Sequence, residues 1–107
     1  MIQSIIRMTI PFQKRAEALK IISSIAEQCR DVPGCLSCHF YGDLQEKDVL
    51  MLTEVWRAEE DLNLHLRSEE YRNLLLVLEM SLKQPEIRFD IISSSTGIET
   101  IEKARIQ

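Results

Sequence analysis

The stretch Val49-Leu50-Met51-Leu52-Thr53-Glu54-Val55-Trp56-Arg57 decides the fold, because it reads as a strand with two apolar faces. Side chains alternate along a strand, so Leu50, Leu52, Glu54 and Trp56 share one face. Val49, Met51, Thr53 and Val55 share the other. A face left to water should be polar. This strand therefore sits in a sheet that is covered on both sides. Working outward, residues 35–42 read as its partner strand, with Leu36, Cys38 and Phe40 opposite Ser37, His39 and Tyr41. Asp43 to Asp48 is the polar hairpin loop between them.

Before that hairpin, residues 2–10 read as a strand with Ile2, Ile6, Met8 and Ile10 on one face and Ile5 with Arg7 on the other. Pro11 ends the strand and opens a helix. From Phe12 to Arg30, Leu19, Ile22, Ala26 and Cys29 recur at helical steps, widened by Ile21 and Ile25. Asp31-Val32-Pro33-Gly34 stops that helix and turns the chain. After the hairpin, Glu59-Glu60-Asp61 leads a short helix whose inner stripe is Leu62, His65 and Leu66. Ser68 caps another, with the stripe Tyr71, Leu74, Leu75, Leu78 and Leu82, ended by Pro85. Residues 86–94 read as a fourth strand with Ile87, Phe89 and Ile91 on one face. Thr96 and Glu99 fit a capping box, and 98–105 reads either as a terminal helix or as an edge strand.

The order is β-α-β-β-α-β with the second helix broken in two, which is the ferredoxin-like α+β plan of a four-stranded antiparallel sheet with helices on one face. The 107 residues make one domain, with a core over 2–94 and a C-terminal extension over 95–107. The helices can cover one sheet face only. The simplest cover for the other is a second copy, giving a homodimer through the sheet face that carries Met51, Thr53 and Val55. His39 and Tyr41 then face the partner.

Thirteen basic against 17 acidic residues give a net charge of −4 with no basic cluster, which speaks against nucleic acid and anionic membranes as partners. No apolar run is long enough to span a bilayer and no signal peptide is visible, so a cytoplasmic protein is expected. Three glycines, at 34, 42 and 97, build no phosphate loop, so no nucleotide cofactor is expected. The three cysteines, Cys29, Cys35 and Cys38, are an odd number in a chain able to bury its own core. Cys35 and Cys38 stand three apart on a strand, where side chains diverge. They are expected to stay reduced, unbridged and metal-free.

Three motifs resemble the antibiotic biosynthesis monooxygenase (ABM) domain family: Asp31-Val32-Pro33-Gly34-Cys35-Leu36, Glu54-Val55-Trp56, and His65-Leu66-Arg67-Ser68-Glu69-Glu70-Tyr71. The resemblance covers roughly residues 2–94. It implies a dimeric α/β barrel with a pocket between each sheet and its helices. Some members oxidise quinols or anthrones with O2 and no cofactor, and related members degrade haem. The haem-degrading relatives carry a histidine one turn after the aromatic matched here to Tyr71, where this chain has Leu75. They also carry an asparagine on the first strand, where it has Arg7 or Thr9. No haem and no other cofactor is therefore expected.

Within that frame the expected function is O2-dependent, cofactor-independent oxidation of a small aromatic or quinol-like substrate. The alternative is a non-catalytic dimeric module binding a small apolar ligand. His65 and Glu54 are the candidate catalytic groups, since either could take a proton from a quinol or enol and the resulting anion can reduce O2 directly. Trp56, Tyr71 and Arg7 are the candidate substrate-binding groups, with Trp56 as a stacking wall and the Tyr71 hydroxyl orienting the substrate. Trp56, His65 and Tyr71 are expected to line one cavity between the sheet and the two later helices. Each also has a structural reading: core packing for Trp56 and Tyr71, a satisfied core group for His65, and for Glu54 an ion pair with Arg7 or Arg88.

Overall fold

The structure, a computed structural model, describes residues 1–106. Strand β1 (Ile2–Thr9) leads into helix α1 (Phe12–Cys29), followed by strands β2 (Cys35–Gly42) and β3 (Val49–Trp56). Helices α2 (Glu59–Leu66) and α3 (Glu69–Glu79), strand β4 (Glu86–Ile91) and helix α4 (Ile98–Ile106) complete the chain. The strands form one antiparallel sheet in the order β2-β3-β1-β4. This is the ferredoxin-like α+β arrangement expected from the alternation. Residues 98–106 are helical, which settles the choice between helix and strand.

The core lies between the sheet and helices α1 to α3. Ile2, Ile6, Met8, Leu50, Leu52 and Trp56 come up from the sheet, while Ile22, Ile25, Leu62, Leu74 and Val77 come down from the helices. The register explains which side chains meet. Glu54 pairs with Ser4 on β1 and Cys38 on β2, and all three point inward and are buried. Ser68 caps α3, its Oγ accepting the Tyr71 N–H at 3.2 Å. On α3 the buried set is Tyr71, Leu74 and Val77, with Leu75 half-exposed and Leu82 exposed, so the stripe is narrower than expected and runs through Val77.

Strand β2 departs from simple alternation. Cys35 pairs with Trp56 and Ser37 with Val55, leaving Leu36 as the extra residue of a β-bulge. Leu36 is consequently 52% exposed, against the expectation that it shares the inner face with Cys38 and Phe40. The bulge also turns both Cys35 and Cys38 to the inner face, opposite Trp56 and Glu54, instead of to opposite faces.

Beyond the core, apolar side chains stand in the open. On β4, Ile87, Phe89 and Ile91 share the helix-side face of the sheet by register, yet all three are exposed. Helix α4 has no buried residue. No helix among the described residues is long and apolar enough to cross a membrane.

Candidate functional site: a histidine–carboxylate pair beside an apolar cleft

Four elements bring the site together. The end of β3 supplies Glu54 and Trp56, the last turn of α1 supplies Cys29, α2 supplies His65 and the start of α3 supplies Tyr71. Glu54, 1% exposed, is bound on both oxygens. Trp56 Nε1–H donates to Oε1 at 3.1 Å, and His65 Nε2 lies 3.1 Å from Oε2. With Glu54 ionised both its oxygens accept, which assigns the proton of this bond to Nε2 and sets the imidazole tautomer. The Trp56 ring packs on the His65 ring with centroids 4.6 Å apart, and Tyr71 meets its edge at 5.2 Å. The imidazole is thus held by one hydrogen bond and two aromatic contacts.

The other ring nitrogen is free. Among the described residues no buried side-chain nitrogen or oxygen lacks a partner, and His65 Nδ1 makes no hydrogen bond of its own, so it reaches an opening. That opening is a cleft of about 180 Å³ lined by Ile25, Gln28, Cys29, Val32, Leu64, His65, Ser68 and Glu70. It lies between the end of α1 and the α2–α3 junction. The sequence reading put the cavity between the sheet and the later helices. The long helix α1 packs into that space with Ile22, Ile25 and Ala26, and the cleft opens at the end of α1.

The expected site residues therefore separate. His65 lines the cleft. Glu54 stands behind His65, and Trp56, 0% exposed, stands behind both, so Trp56 is no wall of this cleft. Tyr71 is buried against the His65 ring. Burial and the negative Glu54 push its phenol up to about 12, so the hydroxyl stays protonated at neutral pH. Arg7 lies on the opposite sheet face, because its register position beside Met51 and Glu86 alternates outward. There it pairs with Asp43 and Glu86 at 3.3 and 3.4 Å and borders a separate hollow of about 400 Å³. Arg88 also faces outward and pairs with Asp90. Neither arginine reaches Glu54, whose partners are His65 and Trp56 instead.

Cys29 joins the site beyond the residues expected from the sequence. Its Sγ lies 3.4 Å from Cys35 Sγ, and Cys29, Glu54 and His65 place one donor atom each within 4.8 Å of one another. All three cysteines are free. The Cys29 thiol is pushed up by its hydrogen bond with Cys38, by burial and by the negative Glu54, and Cys35 is pushed up chiefly by burial. These are neutral thiols at neutral pH and not ready nucleophiles. The signal for Cys29 was its place at the end of the α1 stripe, facing the strand end that carries Glu54.

Fold and site together define a ferredoxin-like protein whose buried histidine–carboxylate pair opens on a small apolar cleft. The sequence profile described as antibiotic biosynthesis monooxygenase matches residues 1–75, and the chain belongs to this ABM family. Its fold is similar to that of a provisionally assigned antibiotic biosynthesis monooxygenase from Deinococcus radiodurans, at 18% identity and a TM-score of 0.82, covering 92% of this chain and 98% of that one. A conserved protein from Methanosarcina mazei is similar at 24% identity and a TM-score of 0.78, covering 83% of this chain and 89% of that one. A protein from Mycobacterium tuberculosis is similar at 18% identity and a TM-score of 0.80, covering 90% and 98%. No curated protein sequence matches the chain significantly.

Proposed function

We propose that this chain is a cofactor-independent monooxygenase of the ABM type, acting with O2 on a small aromatic or quinol-like substrate. The observation that carries the reading is the orientation of His65: Nε2–H is held by Glu54 and the Nδ1 lone pair opens on the cleft. A base needs that arrangement, with one nitrogen fixed and the other free to accept a proton. The walls Ile25, Val32 and Leu64 are apolar, and a cavity of ~150 Å³ is enough for a benzene ring, so about 180 Å³ suits a single ring. His65 Nδ1 takes the acidic proton of the substrate. The resulting anion adds O2 at carbon, and the peroxide loses water to leave a carbonyl, so one oxygen atom ends in product and the other in water. Glu54 stabilises the imidazolium formed, and Trp56 positions Glu54. We also propose a homodimer through the outer sheet face as the working form.

The test is O2 uptake over a panel of single-ring quinols without added metal or flavin. His65→Ala should lower kcat by ~10²–10⁴-fold, the usual cost of a lost general base, with circular dichroism unchanged. Trp56→Phe should lower kcat more than it raises KM, because Trp56 acts through Glu54 and does not touch the cleft. Unchanged turnover in His65→Ala would remove His65 as the base. The rival reading is a non-catalytic module for a small apolar ligand. It is favoured by the absence of Trp56 from the cleft, and it predicts saturable binding of single-ring aromatics with no O2 uptake.

A further inference from the structure

We propose that Cys29, Glu54 and His65 form a buried three-donor site for a zinc-like divalent cation, just behind the cleft wall. The three residues come from α1, β3 and α2, and each offers one donor atom within 4.8 Å of the other two. Bond lengths of ~2.3 Å to sulfur and ~2.0–2.1 Å to nitrogen or oxygen put donors about 3.3–3.6 Å apart around a tetrahedral ion. The His65 Nε2 to Glu54 Oε2 distance of 3.1 Å is close to such an edge, so the ion would take the place of the shared proton. The Cys29 side chain closes the remainder.

The donor chemistry agrees. One thiolate, one imidazole and one carboxylate are the mixed sulfur, nitrogen and oxygen set that suits zinc, while magnesium and calcium ask for oxygen alone. Charge agrees as well: one divalent cation with one thiolate and one carboxylate makes a neutral site, which a fully buried position favours. The Trp56 N–H on Glu54 Oε1 supplies the supporting hydrogen bond that orients a metal-bound carboxylate. Cys29 and His65 both line the cleft, which is the route by which the ion reaches the site behind the ring. Cys35 Sγ lies 3.4 Å from Cys29 Sγ but outside the set of mutually close donors, so it is a neighbour of the site and not a ligand.

Binding releases the Cys29 thiol proton to solvent. It also moves the imidazole proton from Nε2 to Nδ1, so the lone pair that faces the cleft is lost. On the proposed function, metal and substrate deprotonation therefore exclude one another, and the metal is an inhibitor. That consequence rests on the proposed function, whereas the site itself does not.

The experiment titrates Co2+ into the reduced, chelator-stripped full chain, with no substrate present. The expected result is one Co2+ per chain, with a thiolate-to-cobalt charge-transfer band and strong tetrahedral visible bands, both bleached by Zn2+. Cys29→Ser should abolish the charge-transfer band and weaken Zn2+ binding at least ~10-fold, while Cys35→Ser should keep the band. Should Cys29→Ser fail to fold by circular dichroism, Glu54→Gln serves, with the same loss of affinity and a retained band of altered shape. Absence of the band in the wild type, or a band that survives Cys29→Ser, overturns the proposal. Failure here leaves O2 uptake untouched, and failure of O2 uptake leaves the cobalt spectrum untouched, so the two readings fall separately.

Discussion

At the scale of single residues, Glu54 is the group whose environment is most demanding. Both its oxygens accept N–H bonds, from Trp56 and His65, in a place with 1% exposure. Glu54→Gln keeps the shape but turns one acceptor into a donor, which faces one of those two N–H groups as long as the His65 proton stays on Nε2. An unpaired buried polar group costs ~1–3 kcal/mol, and urea unfolding should show a loss of that size. An unchanged midpoint would mean that in the variant the His65 proton moves to Nδ1 and Nε2 accepts from the amide. Gly34 is a second such residue. Its φ of +90° lies in the left-handed region, and a Cβ there would run into the Asp61 side chain. Its carbonyl accepts the Arg57 N–H at 2.8 Å, so the turn ties the start of β2 to the end of β3. Gly34→Ala should destabilise by ~1–3 kcal/mol in the same measurement, from backbone strain and the clash together.

Among the elements, the α2–α3 junction sets the angle at which His65 and Tyr71 meet. Ser68 serves both helices: its hydroxyl donates to the His65 carbonyl at 2.7 Å and accepts the Tyr71 N–H. Ser68→Ala should cost ~1 kcal/mol, the usual value of an N-cap, and hydrogen exchange at the Tyr71 amide should quicken. The β2–β3 loop responds to acid instead. Asp43 is held below the ordinary carboxylate range chiefly by the N–H groups of Glu46 and Gln45, with Arg7 adding to this. A depressed carboxyl stabilises the fold above its unfolded value, and that contribution disappears as pH falls through the folded value. Exchange protection at Gln45 and Glu46 should therefore fall in acid, and Asp43→Asn should reduce this dependence. The Ser68 cap and the faces of β1 and β3 were legible, because alternation and caps are local signals. The bulge in β2 was not. No glycine marks it, and reading strict alternation through it sent Leu36 inward and Cys35 away from Cys38. The histidine–carboxylate pair was half legible: Glu54 and His65 stood out as polar groups on apolar stripes. Their bond depends on where α2 returns over β3, and the cleft depends on where α1 ends, which are tertiary facts without a local cue.

At the scale of the molecule, apolar surface exceeds what one copy covers. Ile5, Met51 and Val55 on the outer sheet face are half-buried, Ile87, Phe89 and Ile91 on β4 are exposed, and so are Ile98, Ile101 and Ile106 on α4. The radius of gyration, 15.7 Å, exceeds the ~13 Å of a compact domain of about this length, as a chain with an outlying terminal helix should. The outer-face group Ile5, Met51 and Val55, on the neighbouring strands β1 and β3, is the apolar surface placed for association. A face offered identically by each copy is self-complementary about a two-fold axis, which is the physical case for the proposed homodimer. Val55 sits on β3, one of the two central strands, on the face away from the helices. Sedimentation at micromolar concentration should give a dimer. Val55→Lys would bury an unpaired charge in the interface at a cost of several kcal/mol, and each ~1.4 kcal/mol is tenfold in the dissociation constant. The variant should therefore sediment as a monomer at concentrations where Val55→Ile remains dimeric. A wild-type monomer under those conditions would overturn the pairing. A dimer that tolerates Val55→Lys would move the interface away from the middle of the sheet, to the uncovered β4 edge and α4.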